Sequence, residues 1–377
     1  MLRRCTVLFG LLACGEIVTL GETDRGLATA IAVGFEHMCV VAEGELYCQG
    51  FSVHGNLVGP SPLTRIESAD DIRDAVQVSA GFRFSCVRRA TGEVACVGEN
   101  DRGQLGNGET EVSTVLLPVP DLRAKTLSSA VWSTCAIDFD DELVCWGDNA
   151  DGEVAPDLRD TPFLTLPRRV GVRAQAVATG DSHTCFVDFE NRVRCFGRNV
   201  SGELGDGTSE PRSGIVTVAE LGEVNAVRVS GNPFLEDHSC ALDRDRRVFC
   251  WGDDSTGSIG NGDAAGSFTP SRVFGIGPVH RLVAGGKTVL AETDEGWFVW
   301  GNRGSMRTFL GDGLDWGEPV PVEGLEEFDQ IALGLITSCA LQDGRFFCWG
   351  ENAFEQFIDF EDDAVVPVTE FAIPTRE

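Results

Sequence analysis

Six pairs of cysteines recur along the chain at a nearly fixed distance. They are Cys39 with Cys48, Cys86 with Cys96, Cys135 with Cys145, Cys185 with Cys195, Cys240 with Cys250 and Cys339 with Cys348. A seventh copy, "LAETDEGWFVWG", has Leu290 and Val299 in the two cysteine places. Successive copies begin 47, 49, 50, 55, 50 and 49 residues apart. A period near fifty marks an array of supersecondary units rather than independent domains, and units of short strands at that period point to a propeller. The fold expected is all-β: a seven-bladed β-propeller over 27–377, with hairpins near 39–48, 86–96, 135–145, 185–195, 240–250, 290–299 and 339–348.

Hairpin geometry accounts for the spacing. With Cys240 opposite Cys250, Ala241 faces Phe249, Leu242 faces Val248, and Arg244-Asp245-Arg246 remain as a three-residue loop. With Cys339 opposite Cys348, Asp343-Gly344 remain as a two-residue loop, and Asp-Gly is a strong type I′ signal. The third residue of the longer loops is expected in the left-handed region; Gly92 and Asn191 suit it, Asp141 is tolerable and Arg246 fits poorly. Directly opposed residues on antiparallel strands have Cβ atoms about 4.5–5.5 Å apart, near the reach of a disulfide. In the seventh copy both cysteines give way together to apolar residues, as expected of two buried positions in contact.

The amino terminus, "MLRRCTVLFGLLACGEIVTLGE", has Arg3 and Arg4 before a short apolar run, the pattern of a secretory signal. "LLAC" is similar to the lipobox of bacterial lipoproteins, so residues 1–14 are expected to be a signal peptide, Cys14 the lipidation site and 15–26 a tether. A signal cut elsewhere and an unprocessed first strand are the alternatives. Setting Cys5 and Cys14 aside, the twelve remaining of 14 cysteines all fall in hairpin pairs. That full set of partners implies six disulfides and an oxidising compartment. Zinc needs four ligands, usually in CxxC-type knuckles, and no CxxC occurs. No apolar stretch after residue 14 is long enough for a membrane helix. The localisation expected is exported: an outer-membrane or cell-surface lipoprotein, or a secreted protein.

After each hairpin comes a turn-rich segment: "GENDRGQLGNG" from Gly98, "GDNADGEVAPD" from Gly147, "GRNVSGELGDG" from Gly197 and "GDDSTGSIGNG" from Gly252. The Asn or Asp can bond its own backbone, the glycines permit positive φ, and Leu105, Leu204 and Ile259 are expected in the core. "CWGDDSTGSIGNG" and "VGENDRGQLGNG", with the preceding "GFEHMCVV" and "GDSHTCFV", resemble the repeat of the regulator of chromosome condensation family. The resemblance covers about residues 27–373, implies a seven-bladed propeller, and through the paired cysteines is similar to a secreted bacterial branch. Because the first copy starts at its inner strand, "ATAIAVG", the orphan segment "AVVPVTEFA" from Ala364 is expected to complete the first blade and close the ring.

No catalytic constellation, metal site or cofactor site emerges. His37, His183 and His238 share one repeat position and read as blade-packing histidines held by hydrogen bonds; the Trp-Gly sites at Trp146, Trp251, Trp300 and Trp349 read as core. "GDNADGE" lacks the alternation and terminal Glu of a calcium loop. With 59 acidic against 30 basic residues, a net charge of −29 and two lysines, the chain is not expected to bind nucleic acid. The function expected is a non-enzymatic surface or secreted propeller, a monomer, that binds a protein or surface polymer, for which a basic partner suits the charge, through its face loops. It would meet a membrane only through an amino-terminal lipid. Candidate contact segments are Asp101 to Pro118, Ala155 to Pro167, Asn232 to Asp237 and Arg303 to Trp316, the last offering Phe309 and Trp316 as interface aromatics. A propeller hydrolase or lyase with a central pocket is the alternative. The resemblance also implies guanine nucleotide exchange, which paired cysteines and a signal argue against.

Overall fold

The structure is a computed structural model that describes residues 18–19, 27–50, 63–230, 237–263, 265–302, 306, 309, 316–351 and 365–373. Cys14 and most of the signal and tether lie outside the described residues, as do 303–305 and 310–315.

Four-stranded antiparallel units repeat along the chain, and seven are seen among the described residues. The fifth is typical. Its inner strand Val224–Ser230 pairs with His238–Asp243, which pairs with Val248–Gly252, which pairs with the outer strand Ser267–Arg272. The second and third units are fused, because the 17-residue strand Ser113–Ser129 is outer strand to one and inner strand to the next. Each inner strand packs against the next, and Ala28–Val33 of the first unit packs against Gln330–Leu333 of the seventh, so the units close into a ring.

Turn chemistry sets the hairpins. Glu43-Gly44 and Asp343-Gly344 both take positive φ, as a type I′ turn requires. Asp141, Asn191 and Arg246 hold the left-handed position of the longer loops at φ 67°, 59° and 62°. Arg246 therefore accepts a conformation that its Cβ disfavours; its amide bonds the Asp243 carbonyl and its guanidinium reaches His280 Nδ1 at 3.2 Å.

The strand that begins at Val365 sits at the seam of the ring but belongs to the last blade, not the first. Val365–Phe371 pairs with Arg345–Glu351, and the first blade has its own outer strand, Thr64–Arg65. The ends of the chain meet differently: Val18–Thr19 lies parallel on Val365–Phe371, with Val18 opposite Thr369. A shared core of Met38, Val40 and Tyr47 with Leu341, Phe346 and Val366 seals the seam. Leu27, 64% exposed, lies over Gly344, and the Ala28 amide bonds the Gly344 carbonyl at 2.8 Å. Its exposure reflects this clasp between the first and last blades.

Candidate protein-recognition face

All six cysteine pairs are directly opposed across their hairpins, with Cα atoms 4.0–4.1 Å apart and disulfide bonds formed. Leu290 and Val299 are opposed in the same way in the sixth blade, both fully buried. Each disulfide lies against the next blade: Cys39 Sγ meets Ser85 Oγ at 3.4 Å, and Cys185 Sγ meets Ser239 Oγ at 3.7 Å. The same hydroxyls hold the repeat histidines. His37 Nε2 is 2.7 Å from Ser85 Oγ, and His183 Nε2 is 2.8 Å from Ser239 Oγ. His238 has Val289 where the next blade would supply that hydroxyl, and its Nε2 has no partner among the described residues. Cysteines and histidines are thus internal fastenings.

The other expected contact residues divide. Phe309 is half-buried and meets the Trp349 ring edge-on at 5.3 Å, beside Phe328, so it fills core between the sixth and seventh blades instead of standing out as an interface anchor. Trp316 pairs through its backbone with Gly301; its side chain lies outside the described residues. Asp101 to Pro118 folds as the turn that carries Trp146 and then enters the strand Ser113–Ser129. Ala155 to Pro167 is tied down by the Asn149 amide, which donates to the Leu158 and Thr161 carbonyls.

A different surface gathers unspent groups. Among the described residues, the loops that follow the inner strands are tight and lie on one face of the ring, the mouth face; the hairpin turns lie on the other. In these loops the amides of Gly34, Gly81, Ala130, Gly180 and Gly334 bond the carbonyls of His37, Phe84, Ser133, His183 and Thr337 at 2.8–3.0 Å. Two residues stand between in each of these loops. They are Phe35-Glu36, Phe82-Arg83, Val131-Trp132, Asp181-Ser182 and Leu335-Ile336.

In the first three blades they build a continuous aromatic row. Phe35 stacks on Phe82 with centroids 4.7 Å apart, and Phe82 meets Trp132 at 4.8 Å. Arginines cover the row: Arg83 lies 4.8 Å over Phe82 and Arg102 lies 4.9 Å over Trp132. Each is held by a buried carboxylate. Arg83 grips Glu36 with two bonds of 2.6 and 2.8 Å, and Arg102 donates to Asp148 at 2.7 Å. The three rings remain half-buried, with part of each surface open to water.

From Asp148 the face turns acidic. Glu153, Asp181, Glu203 and Asp237 are all nearly or fully buried. Asp237 Oδ2 accepts from the Ser182 amide and hydroxyl at 3.0 and 2.9 Å and lies 3.3 Å from His183 Nδ1, while its Oδ1 has no partner among the described residues. Burial, with the neighbouring charges of Asp237 and Asp148, pushes the Asp181 carboxyl up to about 8. Burial likewise raises Asp148, Glu153 and Glu203. Among the described residues no group of three or more His, Cys, Asp or Glu is placed to hold a metal ion.

Between the aromatic and acidic halves, on the ring axis, is a cavity of about 140 Å³. All seven blades contribute to its wall, which includes Val33, Phe35, Phe82, Val131, Thr179 and Leu335, and no wall residue carries a titratable side chain. The cysteine reading did not single out this face. Its signal was the column of residues after the loop glycine, Phe35 in "GFEH", Phe82 in "GFRF" and Asp181 in "GDSH".

A closed ring of four-stranded blades built from one repeated unit defines a β-propeller. The regulator of chromosome condensation (RCC1) repeat matches residues 75–104, 174–203 and 236–258. The Arabidopsis thaliana ultraviolet-B receptor UVR8 is 28% identical over 326 residues, 81% of this chain and 72% of that protein. Human E3 ubiquitin-protein ligase HERC2 is 28% identical over 302 residues, 74% of this chain but only 6% of that protein. Among solved structures, Saccharomyces cerevisiae Prp20p, described with its binding properties to Gsp1p and histones, matches with a TM-score of 0.73 at 18% identity, over 93% of this chain and 88% of that one. Three stretches of the chain thus match the RCC1 repeat, and six of its blades carry a disulfide.

Proposed function

We propose that this chain is a non-enzymatic binding protein that recognises another protein through its mouth face. The observation that carries the reading is the row Phe35–Phe82–Trp132 running into the acidic half at Asp148, Asp181 and Asp237. Aromatic rings with open surface beside arginines are the side chains most often found at the energetic centre of interfaces. The acidic half, in a chain of net charge −29, suits a partner that presents basic side chains. Protein binding is also what the yeast relative is described by.

The compartment is part of the same proposal. Six cross-hairpin disulfides persist outside the reducing cytosol, so the propeller works in an exported setting, held to a membrane by a lipid on Cys14. A non-reducing peptide map of protein from its own host tests this. It should show the six pairs and a lipid mass on Cys14, and free thiols with an intact Met1 would overturn it. The face is tested with a photo-reactive phenylalanine at position 82 or, on the hairpin face, at position 274. Position 82 should give a discrete protein adduct that Trp132→Ala abolishes. A discrete adduct at 274 alone would overturn the mouth-face reading.

A further inference from the structure

One register position sets the fifth blade apart. In every blade the inner strand places a residue opposite the first of the paired hairpin positions. Six of these residues are short: Ala32, Ser79, Ser128, Ala178, Val283 and Ala332. In the fifth blade the residue is Arg228, opposite Cys240. The inner strands are those nearest the ring axis, so six short side chains leave room at that level and one long cation stands beside it.

That cation lacks a counter-charge. Arg83, Arg102, Arg192 and Arg247 each meet a carboxylate at 2.6–3.1 Å. Arg228 meets none among the described residues. Its Nε donates to the Leu282 carbonyl of the sixth blade at 3.0 Å and its Nη1 to the Val227 carbonyl at 2.9 Å. Those bonds hold the stem across the two inner strands and leave Nη2 without a partner among the described residues. The side chain is exposed to water, yet the surrounding protein disfavours its charge and lowers its pKa, with no acid to offset the effect. Both hold because Arg228 lies in a water-accessible space enclosed by the ring, not on the outer surface.

The neighbouring stretch of the axis is clear of negative charge. Val229 and Ser230, the next two residues of the strand, wall the axial cavity, together with Ser129 and Thr179, and no carboxylate does. In a chain with 59 acidic residues, an anion there meets a cation with no acid beside it. A desolvated charge left unpaired is costly, and an anion from outside offsets that cost. The two terminal nitrogens of a guanidinium match two oxygens of one anion.

We propose that the ring axis binds a small oxyanion at Arg228, held by the Nη1–Nη2 edge and reached from the mouth face through the axial cavity. This goes beyond the mouth-face reading and does not depend on it. Sulfate, phosphate and carboxylate share the required chemistry, two oxygens on one charged centre.

The test uses the disulfide-intact chain with ¹⁵N-labelled arginine, the Arg228 Nε resonance being the one that R228Q lacks. Sodium sulfate, phosphate and acetate are titrated at constant ionic strength, with chloride as the control. The oxyanions should move that resonance saturably, and chloride should not. Response to sulfate and phosphate alone assigns a free inorganic anion; response to acetate alone assigns a carboxylate group of another molecule. R228Q keeps a donor for the Leu282 carbonyl but has no charge, and by calorimetry it should bind the preferred anion at least about tenfold more weakly. The titration of the unsubstituted chain needs no variant to fold. No saturable movement with any oxyanion, the same movement with chloride, or unchanged binding by R228Q would each overturn the proposal. None of these outcomes bears on the adduct at position 82, so the mouth-face reading stands or falls separately.

Discussion

The Trp251 indole donates to the Glu203 carbonyl at 2.9 Å, locking the fifth blade onto the turn of the fourth. Trp146 on Gln104 and Trp300 on Ser258 repeat the bond at 2.9 and 3.0 Å. The indole fits because a glycine lies beneath it. A Cβ on Gly205 would stand 2.7 Å from Trp251 Nε1, and the residue sits at φ 64°. Gly205→Ala should therefore cost about 2–4 kcal/mol, from left-handed backbone strain together with overpacking. Gly222→Ala, with nothing within 4 Å, should be close to neutral. Denaturant midpoints under non-reducing conditions decide, and equal midpoints for the two variants would sink the account of the glycine.

The sixth blade supplies a control for the disulfides. Cys240→Leu with Cys250→Val gives the fifth blade the opposed pair that the sixth uses at Leu290 and Val299. The double variant should fold and lose about 2–3 kcal/mol, the contribution expected of a cross-link closing about ten residues. Cys240→Ala alone loses the cross-link and leaves both a cavity and a buried thiol, so it should be the less stable of the two. Thermal unfolding with and without reductant separates them, because only the double variant has no fifth-blade thiol to re-pair.

Most of the scaffold was legible because repetition forces it. Six cysteine pairs and one apolar pair fix hairpin register, and the Trp-Gly and Gly-x-Leu-Gly runs fix what each blade presents to the next. Closure was misjudged for a physical reason. "AVVPVTEFA" carries strand residues but nothing that says which open edge it will meet, and the short strand Thr64–Arg65 had already filled the first blade. The make-up of the mouth face was illegible for a different reason. Phe35, Phe82, Trp132 and Asp181 differ from blade to blade, so they have no periodicity; only the loop hydrogen bonds turn them to one side. Phe309 misled in the opposite sense, since an aromatic in a long irregular segment can as well be covering Trp349.

His37 and His238 should stay neutral well below the usual range. Burial lowers each to about 4, against an ordinary value of 6.5. The unfolded chain then binds protons first as pH falls, so their contribution to stability is intact above about 6.5 and is lost between there and about 4. Ring ¹⁵N shifts provide the check. Both rings should read neutral at pH 5.5, where an exposed histidine is mostly charged, and a midpoint near 6.5 for either would contradict their burial.

Asp254 stands where four other blades have asparagine, three of them among the described residues. Asn100, Asn149 and Asn199 accept from loop amides through Oδ1 and donate through Nδ2 to loop carbonyls. Asp254 Oδ1 accepts from the Ile259 amide at 2.8 Å, but Oδ2 is buried and without a partner among the described residues. Burial pushes this carboxyl up to about 6. An acid raised in the folded state costs stability as pH climbs from about 4 to about 6, and the cost persists above. Asp254→Asn restores the donor and removes the charge, so it should stabilise the protein by about 1–3 kcal/mol at pH 7. Near pH 4 the gain should shrink, because a protonated Asp254 is itself a donor. Denaturant midpoints of the two proteins at pH 4 and pH 7 test both halves. A gain of the same size at both values would mean that the charge of Asp254 is not what the asparagine relieves.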